Sequence, residues 1–193
     1  MLITLYIYIY IYIYNKTTHK TKMAQSTKTS NPNMPHFAFT YDVEPLQHIQ
    51  VNYGYVKNSE NISLRYAVMN DDTHLHKNNN YNKNNNIIIT PGGQRGIKEV
   101  LGFATYLANE TNNLRIIVWD RRNMGQSGFS FNGKPLEIDE AEDLKSIIEQ
   151  VCNGYASVYG VSSGARTNLI LALKYPHLIR TMFLAPPTVR IKI

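Results

Sequence analysis

The sequence contains a single cysteine, Cys152, so it cannot form an intramolecular disulfide. Disulfide-stapled secreted domains need at least one cysteine pair, and the composition therefore favours a reducing compartment such as the cytoplasm. The chain also lacks an apolar run of about 18 residues, so we expect no membrane span. With 43% hydrophobic and 18% charged residues among its 193, it can still bury a core, and we expect one globular domain.

Acidic residues are absent from residues 1–40, which contain four lysines. Only two of the six net positive charges therefore fall on the rest of the chain. A nucleic-acid groove needs positive charge concentrated on a folded face, with aromatic side chains between the basic ones. We therefore expect no nucleic-acid partner, and we assign the excess charge to a solvated N-terminal segment.

Three segments have little capacity to form a core. Residues 1–22 begin with an Ile/Tyr alternation of about 14 residues, which is too short for a membrane span and lacks the basic start of a signal peptide. We interpret them as a low-complexity leader outside the working protein, with secretory or membrane targeting as the alternative. Residues 23–47 are interpreted as a polar linker, and the Asn-rich tract 77–86 as a surface loop inserted between strands.

From residue 48 to residue 193, hydrophobic periodicity predicts alternating strands and helices. Alternation of apolar and polar residues predicts an antiparallel hairpin over 47–56 and 62–69. Continuous apolar runs predict buried strands at 87–90, 114–120, 155–160 and 181–187, and helical spacing predicts helices at 97–108, 136–154 and 163–176. Strand–helix–strand units in series predict an α/β fold whose mostly parallel sheet is covered by helices on both faces.

The segment Gly160-Val161-Ser162-Ser163-Gly164 matches G-x-S-x-G, the pattern of a nucleophile elbow. In such an elbow the serine stands in a strained turn between a buried strand and a helix, and a side chain at either glycine would clash with that turn. The motif falls where one predicted strand ends and the next predicted helix begins. The alternative is a Gly/Ser-rich strand-to-helix turn that carries no chemistry.

At this motif the chain resembles the α/β-hydrolase superfamily, of the AB hydrolase-1 type, over about residues 48–190. Four segments in the family's order carry the likeness: TPGG at 90–93, DRRNMGQSG at 120–128, GVSSG at 160–164 and KYPHLIR at 174–180. The resemblance implies hydrolysis of a small-molecule or peptide ester, amide or thioester through an acyl-serine at Ser162. It also implies an oxyanion hole formed by the backbone N–H groups of Gly93 and Ser163, with Gln94 as a less favoured neighbour. No cofactor is implied, and a serine rather than an aspartate disfavours dehalogenase and epoxide-hydrolase chemistry.

The chain departs from the family's pattern at two turns. Pro91-Gly92 stands where relatives often have His-Gly, and Asn123 stands at the first glycine of the turn D-x-R-G-x-G-x-S. Asparagine is the non-glycine residue that best accepts a left-handed backbone, so we expect this turn to be kept. Residues 120–122, Asp-Arg-Arg, are interpreted as holding the turn by hydrogen bonds rather than as catalytic.

The family's acid and base have no counterparts in this sequence. The family order is serine, then acid, then histidine. After Ser162, however, the chain contains no Asp or Glu, and its only histidine is His177. We expect His177 at an exposed helix end, about three turns from the serine. We therefore assign no triad acid and no triad base, and we interpret the chain as a partial α/β-hydrolase domain whose C-terminal part is missing after the sixth strand.

The other histidines lie in the leader, the linker, the first hairpin and the rim of the Asn-rich tract: His19, His36, His48, His74 and His76. His74 and His76 stand beside Asp71 and Asp72, which is a weak metal-binding pattern. Because a mobile loop does not preorganise ligands, we expect no metal site there.

Two further expectations follow from the missing triad and from the predicted edge strand. An unassisted serine hydroxyl is a poor nucleophile, so the alternative function is a catalytically inactive or truncated homologue that acts as a binding or interaction module. The sixth strand lies at a sheet edge in this interpretation, and unpaired edge groups template pairing with another chain. We therefore expect self-association through this strand.

Overall fold

The computed structural model describes residues 44–71, 85–93, 95–111 and 113–185, and the statements below concern these residues. The predicted leader, most of the linker and most of the Asn-rich tract lie outside them. So do Gln94, His19, His36, His74 and His76. The segment boundaries drawn there remain predictions.

The described residues contain six strands and three α-helices, which is the number that the periodicity predicts. In chain order they are β1 (Asn52–Lys57), β2 (Ser63–Met69), β3 (Asn86–Thr90), α1 (Ile97–Glu110), β4 (Arg115–Trp119), α2 (Leu136–Val151), β5 (Ala156–Val161), α3 (Ser163–Lys174) and β6 (Ile179–Ala185). A 3₁₀ turn, Pro176–Leu178, separates α3 from β6. No helix in the described ranges combines the length and the apolar character needed to cross a bilayer.

The strands form one sheet in the order β1-β2-β4-β3-β5-β6. β4, β3, β5 and β6 run parallel to one another, whereas β2 runs antiparallel to β1 and to β4. The predicted α/β class with a mostly parallel sheet is therefore confirmed. β3 lies between β4 and β5, and Thr90 pairs with Gly160. Because parallel strands end at the same edge, the loops after β3, β4 and β5 are brought together.

Two hydrophobic clusters cover the two faces of the sheet. Alternate residues of the central strands point to opposite faces, so Ile88 and Ile117 pack on the side of α2 and α3. Ile89 and Val118 pack on the side of α1. Strands buried on both faces need apolar residues at every position, which explains the continuous runs at 87–89 and 116–118.

β3 begins one residue earlier than predicted. Asn86, which the sequence analysis assigned to the Asn-rich tract, is its first residue and is 3% exposed. Its Nδ2 donates to the Cys152 carbonyl at 3.3 Å, and its Oδ1 accepts from Arg115 Nη1 at 3.2 Å. A polar residue can therefore start this buried strand because its amide is hydrogen-bonded on both sides.

The end of α2 follows the sequence prediction. Asn153 and Gly154, which were expected to terminate it, both have positive φ, 56° and 91°. The N–H groups of Cys152 and Gly154 both donate to the Ile148 carbonyl, at 3.0 and 3.2 Å, and these bonds close the last turn of the helix. Cys152, at the C-cap, is fully buried, and burial raises the pKa of its thiol to about 12. This thiol is therefore a packing group and not a nucleophile.

Candidate functional site

The turn between β5 and α3 has an unusual backbone at Ser162. This residue has φ 52° and ψ −114°, and a non-glycine residue at positive φ costs on the order of 1–3 kcal/mol. Hydrogen bonds hold the turn on both sides. The Ser162 N–H donates to the Ala185 carbonyl of β6 at 2.9 Å, and the Ser162 carbonyl accepts from the Ala165 N–H at 3.1 Å. Ser162 therefore stands in a sharp turn between β5 and α3 with a strained backbone.

The two glycines of the turn stand where no side chain fits. A Cβ on Gly160 would lie 2.6 Å from the Cα of Ala165, because the strand passes directly beneath the helix. A Cβ on Gly164 would lie 2.4 Å from the carbonyl oxygen of Thr90 and 2.6 Å from that of Pro91. α3 therefore starts in backbone contact with the end of β3.

The loop that follows β3 is adjacent to the first residue of α3. Gly93 has φ 60°, in the left-handed region that favours glycine, and its carbonyl accepts from Ser163 Oγ at 3.5 Å. Ser163 begins α3, and the first N–H groups of a helix have no partner within it. The structure therefore brings together Gly93 and Ser163, the two residues expected to supply oxyanion donors, beside Ser162.

Arg121, in the turn after β4, joins this loop to two helices. Its Nη1 donates to the carbonyl oxygens of Pro91, at 3.3 Å, and of Gly93, and to Ser163 Oγ at 2.9 Å. Its Nε and Nη2 donate to the two carboxylate oxygens of Glu140 on α2. Thr167 of α3 also donates to this carboxylate, at 3.0 Å. Burial raises the pKa of Glu140, and the hydrogen bonds from Arg121 and Thr167 oppose that rise.

Arg122 makes a second buried pair with the same helix. Its Nε and Nη2 donate to the two oxygens of Asp143 at 2.6 and 2.8 Å, and its Nη1 lies 2.9 Å from Asp139. Asn58, which follows β1, donates to Asp143 at 2.6 Å. Arg122 is 1% exposed and Asp143 is fully buried. This pair therefore ties the turn to α2 and to the first hairpin.

Asp120 and Asn123 complete the turn after β4. Asp120 accepts from the N–H of Ile97, the first residue of α1, at 2.7 Å and from the N–H of Gln126 at 3.0 Å. Asn123 has φ 65°, which confirms the left-handed conformation expected of it. Its side-chain amide also exchanges two hydrogen bonds with the backbone of Ser130, at 2.8 and 3.1 Å. These contacts agree with the structural role assigned to residues 120–122.

Beneath the Ser162 turn, three buried polar side chains are hydrogen-bonded in series on the face of the sheet that α3 covers. The indole Nε1 of Trp119 donates to Thr90 Oγ1 at 3.3 Å, and Thr90 Oγ1 donates to Asn168 Oδ1 at 3.0 Å. All three side chains are fully buried. These hydrogen bonds link the ends of β4 and β3 to α3 directly beneath the turn that carries Ser162.

Neither histidine of the described ranges contacts the elbow residues. His48 Nε2 lies 2.9 Å from Asn109 Oδ1 on the surface, and His177 is exposed in the 3₁₀ turn, edge-on to the ring of Tyr175. His177 therefore has the exposed position expected of it. In the described part of the chain there is also no group of three or more His, Cys, Asp or Glu side chains arranged to hold a metal ion.

Sequence reasoning missed the role of Glu140 and Asp143, which it treated as acids favoured at a helix N-terminus. A signal was present, because Glu140 stands four residues before Leu144 and seven before Ile147. It therefore lies on the apolar stripe of α2, where an acidic residue needs a buried partner. The hydrogen bond from Arg121 to Gly93 has no signal in the sequence, because it depends on how the turn after β4 packs against the loop after β3.

Comparison with known proteins gives structural matches only. No protein-family model matches the chain, and no curated protein does. The α/β hydrolase GrgF from Penicillium sp. sh18 matches at 12% identity with a TM-score of 0.57, over 72% of this chain and 47% of that one. An α/β hydrolase from Sphaerobacter thermophilus DSM 20745 matches at 22% identity with the same TM-score and coverage.

A third structure, MGS-M2, an α/β hydrolase from a Medee basin deep-sea metagenome library, matches at 24% identity with a TM-score of 0.53. The match covers 68% of this chain and 43% of that one. The chain thus spans about half the length of the structures it resembles. At this level of sequence identity, structural similarity shows the fold only, so any activity has to be argued from the site.

Proposed function

We propose that this chain, which has the α/β-hydrolase fold, carries a serine nucleophile at Ser162 for the hydrolysis of ester, amide or thioester bonds. The observation that supports the proposal most is the backbone of Ser162. A strained serine between a buried strand and a helix, flanked by two glycines that cannot accept a side chain, is the geometry that the elbow pattern requires. Strain of this kind is retained where the surrounding structure enforces it, and it concentrates at functional sites.

In the proposed reaction, Ser162 Oγ adds to the carbonyl carbon of the substrate, and the carbonyl oxygen becomes an oxyanion. The backbone N–H groups of Gly93 and Ser163 donate to that oxygen, each worth about 3 kcal/mol of transition-state stabilisation. The tetrahedral intermediate then expels the alcohol, amine or thiol and leaves an acyl-serine, which water hydrolyses. Ser163 also stands at the N-terminus of α3, where the helix dipole favours negative charge.

Removal of the proton from the Ser162 hydroxyl is the step of this reaction for which no base has been assigned. The serine hydroxyl must lose its proton as it attacks, and a histidine oriented by an acid does this in complete triads. Residues 163–193 contain no Asp or Glu, and His177 lies in the exposed 3₁₀ turn. The exposed position of His177 also favours the second candidate function, a binding or interaction module that uses the same fold.

We expect the 193-residue chain to hydrolyse p-nitrophenyl acetate far more slowly than the ~10 per second of a typical enzyme. We also expect this turnover to be lost in Ser162→Ala. Release of p-nitrophenol, followed by absorbance, measures both rates. Ser157→Ala, a serine-to-alanine change inside β5, is the matched control and should retain the turnover. Equal rates for Ser162→Ala and the unaltered chain would favour the binding-module alternative.

We also propose that a second copy of this chain is a partner, through the edge of β6. β6 is the last strand in the order of the described sheet, and Met182, Phe183 and Leu184 are only partly buried there. An edge of this kind offers hydrogen-bonding groups to another strand. Light scattering coupled to size-exclusion chromatography should give a mass above the 22.1 kDa of one chain, decreasing on dilution. A monomer at every concentration would contradict this proposal.

A further inference from the structure

The strongest unassigned feature of the molecule is the contact between Arg121 and the loop after β3. Arg121 is 2% exposed, and its Nη1 reaches the carbonyl oxygens of Pro91 and Gly93 together with Ser163 Oγ. Nη1 has two N–H bonds in fixed, coplanar directions and shares one of them between two of these oxygens, so the three oxygens are held close to one another. One side chain therefore spans both segments that would supply oxyanion donors.

The carbonyls that Arg121 binds belong to particular peptide groups. The Pro91 carbonyl lies in the peptide just before the one that carries the Gly93 N–H, and the Gly93 carbonyl lies in the peptide just after it. Consecutive glycines at 92 and 93 leave this backbone with broad conformational freedom. Because both flanking peptides are hydrogen-bonded to one guanidinium, rotation of the peptide between them is restricted.

Glu140 keeps the guanidinium in this orientation. Its two carboxylate oxygens take Nε and Nη2, which leaves Nη1 facing the loop. The Glu140 side chain is 1% exposed, and it also accepts from Thr167, one turn after Ser163 on α3. The pair therefore connects α2, α3 and the loop at one point, and it has no freedom to turn toward solvent.

We propose that Arg121, oriented by Glu140, is a positioning residue that directs the Gly93 N–H toward the point where the Ser163 N–H also points. The inference rests on the proposed function, since it assigns a role in the same site. Misplacing one donor by about 1 Å can lower a catalytic rate on the order of 100-fold. We therefore expect loss of the Arg121 contact to lower kcat and leave KM nearly unchanged.

Arg122 is a matched control for this role. It stands in the same turn and is as deeply buried, but its partners lie on α2 and near the first hairpin rather than on the loop. Removal of one member of a buried pair leaves an uncompensated charge and can unfold a protein, whereas apolar replacement of both is often tolerated. The test therefore compares Arg121→Met/Glu140→Leu with Arg122→Met/Asp143→Leu.

The first readout is Ser162-dependent hydrolysis of p-nitrophenyl acetate, measured as kcat and KM per folded molecule. We expect Arg121→Met/Glu140→Leu to lower kcat about 10- to 100-fold with KM changed less than about twofold. Arg122→Met/Asp143→Leu should keep kcat within about twofold. Equal losses in the two double variants would mean a purely structural role and would overturn the inference.

The second readout does not depend on activity. Backbone amide relaxation by NMR should show the Gly93 N–H changing from a rigid order parameter of about 0.85 to below about 0.6 in Arg121→Met/Glu140→Leu. It should stay rigid in the Arg122 double variant. A rigid Gly93 in both overturns the inference whether or not turnover is seen. Absence of Ser162-dependent turnover in the unaltered chain, with Gly93 mobile only in the Arg121 variant, contradicts the proposed function and leaves the positioning of the loop supported.

Discussion

Replacement of Gly164 by alanine is expected to lower the free energy of unfolding by more than about 3 kcal/mol, at the upper end of overpacking effects. The new methyl group would lie 2.4 Å from the Thr90 carbonyl oxygen and 2.6 Å from that of Pro91. Both obstacles are backbone atoms at the end of a buried strand, and neither can rotate away. Relief requires α3 to move off β3, which would also displace the loop that contains Gly93.

The direction of this effect is opposite to the helical preference of the two residues. Inside a helix alanine is favoured over glycine by about 1 kcal/mol, so a helix without the close contact would be stabilised by the same change. Chemical denaturation of Gly164→Ala and of Gly133→Ala separates the cost of a steric clash, at Gly164, from the cost of a left-handed backbone, at Gly133. Gly133 has φ 77° and no neighbour within 4 Å, so its replacement should cost only the ~1 kcal/mol of a left-handed alanine. A Gly164→Ala variant as stable as the unaltered chain would contradict the close backbone contact between α3 and the end of β3.

The second large effect is expected for Arg122→Ala, which should lower the free energy of unfolding by about 3–5 kcal/mol. Most of this loss of stability comes from the buried carboxylates that remain without the Arg122 guanidinium. Asp143 is fully buried and would keep only Asn58 as a partner, while Asp139 would lose its nearby cation. Arg166→Ala is the control, since it removes an exposed ion pair with Glu137 and should cost at most about 1 kcal/mol.

The pH dependence of the Arg122→Ala variant gives a separate check on this explanation. Burial raises the pKa of Asp143, and the hydrogen bonds and charge of Arg122 oppose the rise. Without Arg122 the pKa of Asp143 in the folded state rises further above its unfolded value. The penalty is then full above that folded pKa, decreases as the pH falls below it, and is gone below the unfolded pKa. The stability difference between variant and unaltered chain should therefore be largest near neutral pH and smaller in acid, as measured by denaturation at a series of pH values.

Hydrophobic periodicity was enough to predict the sheet and its helices. Runs such as 87–89 and 116–118 are apolar at every position because both faces of their strands are covered, and this property is visible in the sequence alone. Element ends were predicted where a residue type has a local cause, as at Gly154. Asn86 was misassigned because its strand position depends on a hydrogen bond to Cys152, 66 residues away.

In the candidate site, too, some features could be predicted from the sequence and others could not. The turn at Ser162 was predicted because its constraints are local, with Gly160 and Gly164 at fixed distances along the chain. The approach of Gly93 to Ser163 was expected from the resemblance alone. The contacts of Arg121 could not be predicted, because they join four separate segments and depend on the packing of α2 against the turn after β4.

The hydrogen-bonded polar side chains beneath the Ser162 turn make the protein's intrinsic fluorescence a reporter for the site. Trp119 is the only tryptophan in the sequence, it is fully buried, and its indole N–H donates to Thr90, the residue that leads into the Pro91–Gly93 loop. Emission from this indole should be shifted to short wavelength in the folded state and to long wavelength on unfolding. A change in emission that precedes the main unfolding transition would show that the end of the sheet beside Ser162 opens first, without a label and in any of the variants above.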